Sequence, residues 1–157
     1  MKAIYPGTFD PITKGHLDII VRARLIFDEL VVAVGDNPQK KTTFDCLTRV
    51  TMIRESILDM PEVEVISFDG LTVEAAKNVG ARVIIRGLRA ITDYELEVQM
   101  AFMNRSLDSD IDTVILVTSP NWQFISSSLI KDIAGLGGDI TPYVPEPVIP
   151  LIMKVFR

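Results

Sequence analysis

One stretch near the start of the chain concentrates residue types suited to holding an anion: Tyr5-Pro6-Gly7-Thr8-Phe9-Asp10-Pro11-Ile12-Thr13-Lys14-Gly15-His16. Gly7 lets the backbone approach a ligand closely, and Thr8 offers an N–H and a hydroxyl. Gly15-His16 open a helical segment whose unpaired N–H groups and dipole favour negative charge. On that reading His16, the single histidine of the chain, points at the anion. The pattern is also compatible with ordinary punctuation between a strand and a helix. A second cluster, Ile125-Ser126-Ser127-Ser128-Leu129-Ile130-Lys131, either caps a helix with one hydroxyl or meets phosphate oxygens with several hydroxyls and the Lys131 charge. A third, Ile85-Arg86-Gly87-Leu88-Arg89, places two guanidinium forks at the end of an apolar run. These arginines either grip phosphate bidentately or pair with Asp93, Glu95 or Glu97 nearby. Lys40-Lys41 form a fourth basic pair, whose default state in a loop is solvated.

The elements that must position these residues follow from hydrophobic periodicity. Strands are expected at Ala3 to Tyr5, Leu30 to Gly35, Val63 to Phe68, Val83 to Arg86 and Thr113 to Thr118. Helices are expected at His16 to Phe27, about Leu47 to Leu58, Thr72 to Val79 and Thr92 to Leu107, with another beginning at the serine cluster. Wholly apolar strands joined by helices imply an α/β domain, a doubly wound parallel sheet of the Rossmann-like kind, with ligands beyond the carboxyl ends of its strands. The Gly- and Pro-rich segment Gly135 to Pro150 reads as an ordered loop before a last short helix near Val148 to Phe156. The helix at Thr92 to Leu107 carries Tyr94, Val98, Ala101 and Phe102 on one side and Leu96, Met100, Met103 and Leu107 on the other. One face should pack on the sheet, leaving the second for a neighbouring subunit, an apolar ligand or both.

Composition narrows the chemistry. The 157 residues are expected to form one domain, 1–157, large enough for a core without staples. Sixteen Lys and Arg against 21 Asp and Glu leave a net charge of −5, which excludes a broad basic surface for nucleic acid and makes any anion site local. One cysteine, Cys46, and one histidine exclude a disulfide framework and a multi-ligand zinc site, and point to a reducing compartment. No run approaches the ~18 apolar residues of a membrane span, and Met1 leads straight into a strand, so a cytoplasmic protein is expected. There is no Walker loop, no dinucleotide glycine fingerprint, no nucleophile elbow and no second histidine for a triad. ATP hydrolysis of the P-loop type, hydride transfer and covalent catalysis therefore fall away. Four strands, the first, second, fourth and fifth, each end in phosphate-compatible residues, and several local cations on one rim suggest a polyphosphate ligand.

Thr13-Lys14-Gly15-His16 resembles the T/H-x-G-H signature of the nucleotidyltransferase superfamily, and Ile125-Ser126-Ser127-Ser128 resembles its second signature. Together with Tyr5 through Pro11, Ile85 through Arg89, Trp122 through Ser128 and the length, these motifs resemble the bacterial phosphopantetheine adenylyltransferase family over essentially the whole chain. That resemblance implies transfer of AMP from ATP to 4′-phosphopantetheine, giving dephospho-coenzyme A and pyrophosphate. Carried over by motif, Thr8, Phe9, His16, Gly87, Leu88, Arg89, Glu97, Trp122, Gln123, Phe124, Ile125, Ser126, Ser127 and Ser128 would surround ATP. Thr8, Lys40, Thr72 and Arg86 would contact the acceptor, and His16, Lys40 and Arg89 would be catalytic. The family implies Mg²⁺, with no residue assigned to it here, together with a homohexamer and feedback inhibition by coenzyme A. It implies neither a nucleic-acid nor a membrane partner.

An acceptor phosphate is already anionic, so attack on the α-phosphorus needs no general base, and catalysis reduces to positioning and charge stabilisation. His16 would donate to the α-phosphoryl oxygens, Lys40 and Arg86 would hold the acceptor phosphate, and Arg89 with the serines would orient the leaving pyrophosphate. The sequence departs from the family at Lys14, where Asn is frequent, at Cys46-Leu47-Thr48 ahead of Arg49, where acidic residues are common, and at Leu96 and Thr72 near the acceptor. Leu96, Met100 and Met103 are expected to line the pantetheine channel. Two other readings share these residues: a nucleotidyltransferase with another acceptor, such as nicotinamide mononucleotide or glycerol 3-phosphate, and a nucleotide or coenzyme A sensor without turnover.

Overall fold

A computed structural model describes residues 1–156. Its five strands are β1 (Lys2–Gly7), β2 (Glu29–Gly35), β3 (Val63–Phe68), β4 (Val83–Leu88) and β5 (Asp112–Val117), all parallel in the order β3-β2-β1-β4-β5. The helices are α1 (Lys14–Ile26), α2 (Cys46–Ser56), α3 (Thr72–Asn78), α4 (Ile91–Leu107), α5 (Ser127–Gly135) and α6 (Ile149–Phe156). This is the doubly wound α/β architecture expected from the alternating apolar runs. The order reverses between β1 and β4, and the crevice beyond their carboxyl ends is where such sheets hold ligands.

Strand alternation divides the core into two. Ala3, Tyr5, Val32, Val34 and Ile85 face a large cluster built with α1, α2, α5 and α6, whereas Ile4, Val31, Ala33 and Ile84 face a smaller one with α3. The two clusters bury both faces of the sheet, which is why its strands read as continuous apolar runs. Asp45 caps α2 by accepting from the Thr48 N–H at 2.7 Å, so that helix starts one residue before the expected Leu47. The Gly- and Pro-rich segment is ordered as expected, with a short 3₁₀ turn at Glu146–Val148 leading into α6.

The long helix α4 corrects the expectation drawn from its apolar stripes. Its inward positions are Glu97 and Asn104, with Val98 and Ala101 half-buried, while Tyr94, Leu96, Met100, Phe102, Met103 and Leu107 are all exposed. A carboxylate can occupy the inward face because Arg86 on β4 meets it directly. The second stripe and the Tyr94 and Phe102 positions of the first therefore remain uncovered within the chain, beside the edge strand β5, where Val117 is also exposed.

Candidate active site

A cleft of about 640 Å³ opens at the carboxyl ends of β1, β4 and β5. Its geometry is set first by the turn into α1. Thr13 is the N-cap of that helix, and its Oγ1 lies 3.4 Å from the His16 N–H. In return the Thr13 N–H donates to His16 Nδ1 at 3.1 Å, closing a capping box in which histidine takes the place usually filled by Glu or Gln. Since a backbone N–H can only donate, Nδ1 is an acceptor and the ring proton sits on Nε2. Burial, reinforced by the Arg89 and Arg86 charges, pushes the imidazole down to a pKa of about 4. His16 is thus a neutral Nε2–H donor at neutral pH.

Phe9 fixes the ring from the other side. Its edge-to-face contacts reach Tyr5 at 5.4 Å and His16 at 5.0 Å between centroids, and its backbone takes the left-handed conformation at φ 50°. A bulky residue rarely adopts that conformation outside sites where the surroundings enforce it. Gly7 is enforced by the same ring: a Cβ there would lie 2.8 and 2.9 Å from Phe9 Cε2 and Cζ. Burial likewise pushes the Tyr5 hydroxyl well above its ordinary pKa, so it stays protonated on the cleft floor.

The two arginines of the β4 cluster take the carboxylate partners that spacing allowed, without surrendering all their donors. Arg86 grips Glu97 through Nε at 2.6 Å and Nη2 at 2.9 Å, and donates through Nη1 to the Pro6 carbonyl at 3.2 Å. Three of its five N–H groups are used, and two remain for a ligand. Arg89 donates to the Ile125 carbonyl at 3.1 Å and lies 3.6 Å from Asp93. The serines divide their work. Ser126 caps α5 by accepting from the Leu129 N–H at 3.0 Å, Ser127 donates to the Pro11 carbonyl at 2.7 Å, and Ser128 is exposed. Ser127 and Ser128, first in the helix, line the first cleft, and N–H groups at that position have no intrahelical acceptor. Lys131, one turn on, is held by Asp10 at 2.6 Å.

A second cleft of about 520 Å³ adjoins the first and shares Pro6, Gly7, Thr8, Lys40 and Arg86 with it. Thr8, Lys40, Thr72 and Arg86, the four residues expected at the acceptor, all line this second cleft. The first cleft gathers Thr8, Phe9, His16, Lys40, Arg86, Gly87, Arg89, Glu97 and Ile125 through Ser128. Leu88, Trp122, Gln123 and Phe124 line neither. Gln123 donates to the Thr118 carbonyl at 3.1 Å, Trp122 lies under Lys14 with Nζ 5.5 Å from its ring, and Phe124 stands edge-on to Tyr143. Of the three channel residues, Leu96 lines the first cleft, while Met100 and Met103 line neither.

Sequence reasoning overlooked Asp10, Arg49 and Asp18 as structural members of the site. Asp18 accepts from the Ser119 N–H and hydroxyl at 3.0 and 2.5 Å, tying the end of β5 to α1. Asp10 could have been flagged as an acidic residue inside an anion-binding stretch. Arg49 left no signal, since it lies within a helix and two of its carbonyl partners, Thr8 and Gly35, belong to other elements. Each carboxylate lining the first cleft faces a cation, Asp10 with Lys131, Asp93 with Arg89 and Glu97 with Arg86. Among the described residues no cluster of three or more His, Cys, Asp or Glu could hold a metal. A Mg²⁺ cage built wholly from protein ligands does not fit this donor set.

Comparison with known proteins accords with this arrangement. A sequence model described as cytidylyltransferase-like matches residues 4–133. Curated relatives called phosphopantetheine adenylyltransferase include those of Prochlorococcus marinus strain AS9601, 49% identical over all of both chains, and Lachnoclostridium phytofermentans, 50% identical over 98% of this chain and 94% of that one. The relative in Methylococcus capsulatus is 48% identical over 98% and 95%. The chain belongs to the phosphopantetheine adenylyltransferase family. In the terms of that family the two joined clefts are candidates for a nucleotide site and an acceptor site, meeting at Thr8, Lys40 and Arg86.

Proposed function

We propose that the protein transfers the adenylyl group of ATP to 4′-phosphopantetheine, releasing pyrophosphate and dephospho-coenzyme A in coenzyme A biosynthesis. The observation that carries this reading is the joining of the two clefts, since a half-buried neutral donor, His16, lies in the first close to the cations Arg86 and Arg89, and Lys40 and Arg86 are shared with the second. ATP occupies the first cleft, with its triphosphate against the Ser127 and Ser128 N–H groups and Arg89. The acceptor occupies the second, its phosphate held by Lys40 and the free N–H groups of Arg86. The acceptor phosphate oxygen attacks the α-phosphorus in line, the bond to the bridging oxygen breaks, and pyrophosphate leaves with the electron pair. No proton has to be removed, which suits a site whose histidine is neutral and serves as a donor. His16 Nε2–H stabilises the charge that gathers on the α-phosphoryl oxygens.

Mg²⁺ belongs to this reading as a hydrated ion carried on the ATP phosphates, since that ion keeps most of its waters and the cleft carboxylates are engaged by cations. The uncovered apolar residues of α4 support assembly into a homohexamer, and the acceptor cleft is where coenzyme A would compete as a feedback inhibitor. Among the described residues no helix is long and apolar enough to cross a membrane, and the setting proposed is the cytoplasm. The decisive assay is pyrophosphate release with ATP and Mg²⁺, run in parallel with 4′-phosphopantetheine, nicotinamide mononucleotide and glycerol 3-phosphate. Release with phosphopantetheine alone is expected. Release with another acceptor overturns the substrate, and ATP binding without release overturns the activity.

A further inference from the structure

We propose that Asp10 and Arg49 are positioning residues that set Lys40 at the junction of the two clefts and Lys41 beside it in the first, by gripping the turn Thr43-Phe44 from its N–H side and its C=O side. Asp10 is buried, and its two carboxylate oxygens accept from the Thr43 N–H at 2.9 Å and the Phe44 N–H at 2.9 Å. Arg49, only 1% exposed, donates through Nε to the Phe44 carbonyl at 3.0 Å. Its Nη1 donates to the carbonyls of Thr8 at 2.8 Å and Gly35 at 2.9 Å, so one guanidinium holds the ends of β1 and β2 and the turn together.

Stability alone does not account for this arrangement. The carboxylate that pairs with Arg49 is Asp36, which is itself exposed and 3.3 Å away, and a buried charge without a buried counter-charge is a poor source of folding energy. What it supplies is geometry, because guanidinium donors are rigidly disposed and each reaches a different loop. Lys40 and Lys41 are exposed and take part in no ion pair among the described residues, and only Lys41 and Thr42 separate the turn closed by the Lys40 N–H on the Asn37 carbonyl from the grip at Thr43. Their placement therefore depends on that grip. Phe9 and Asp10 are neighbours in the chain, so one dipeptide steadies the His16 ring with its first side chain and the lysine loop with its second. Lys131 neutralises Asp10 from α5 and completes the link to the serine end of that helix.

The inference rests on the proposed reaction for its kinetic consequence but not for its physical one. Limited trypsin cleavage after Lys40 and Lys41, followed by mass spectrometry, reads the loop directly. Asp10→Asn and Arg49→Lys should each speed that cleavage at least tenfold. In the transfer assay both should lower kcat and raise the acceptor KM about tenfold while the ATP Kd stays within threefold. In a Lys40→Ala background either change should cost less than threefold further, because the residue acted upon is gone. Unchanged cleavage, or losses that multiply in the double variants, overturns the proposal. If the wild type shows no transfer to phosphopantetheine, the functional reading fails while cleavage still judges the grip. Should neither variant fold, amide exchange in the wild type decides: protected Thr43 and Phe44 N–H groups are expected, and free exchange refutes the grip.

Discussion

Replacing His16 by alanine tests the central electrostatic argument. In the structure the ring is a neutral donor, its Nδ1 occupied by the Thr13 N–H and its pKa held at about 4 by burial and two guanidinium charges. At pH 7 roughly 0.1% of the ring is then protonated, so what alanine removes is one Nε2–H donor and not a positive charge. A preorganised donor of this kind is worth about 3–4 kcal/mol in the transition state, and kcat should fall roughly 100- to 1000-fold with the ATP Kd little changed. The wild-type kcat should show no histidine titration between pH 6 and 8. Stability carries the complementary sign: the folded value lies below the ordinary 6.5, so as pH falls from there toward 4 the unfolded chain takes up the proton first and the fold weakens. His16→Ala should therefore flatten the fall of stability across that window. Pyrophosphate release, isothermal titration with ATP and urea unfolding at several pH values measure these quantities. A kcat within tenfold of wild type, or a kcat that titrates near pH 6.5 only when His16 is present, refutes the neutral-donor argument.

Gly7→Ala should drive the Phe9 ring away from His16 and cost about 1–3 kcal/mol, read as a lower thermal midpoint together with a reduced kcat. Glu97→Leu leaves Arg86 beside the sheet without its counter-charge and should destabilise the fold by about 3 kcal/mol in denaturant titration, with a raised acceptor KM. Phe102, 71% exposed on α4, should lie between subunits, and Phe102→Glu should shift the mass in sedimentation toward the monomer. A monomeric wild type would refute that placement. The Asp10 and Asp18 carboxyls, although burial alone would raise them, are held below their ordinary values by hydrogen bonds, from Lys131 and the Thr43 and Phe44 N–H groups in one case and Ser119 and Arg22 in the other. Their contribution is present above roughly pH 4 and lost as pH falls through the folded values, so acid unfolding should be shallower in Asp18→Asn.

The alternation of apolar strands and periodic helices made the sheet legible, because burial on both faces leaves a continuous signature along each strand. Where the reading of α4 erred, the cause was non-local: Glu97 turns inward only because Arg86 on another element is there to receive it. The same non-locality hid the anchoring of the lysine loop. Arg49 finds its acceptors just past β1, at the end of β2 and in the turn before α2, and nothing in the helix around it announces a buried charge.

By itself the sequence determined which residue types could meet phosphate, the single histidine among them, and the strand-helix order that gathers them at one end of a sheet. Local chemistry was enough for the Thr13-His16 capping box, since its partners are three residues apart and the helix itself brings them together. Only the tertiary structure decided that His16 is neutral, that Arg86 reserves two donors, and that the candidate nucleotide and acceptor clefts share a wall at Thr8, Lys40 and Arg86. Protonation state and donor direction are set by burial and by charges from distant strands, and those distances exist only once the chain has folded.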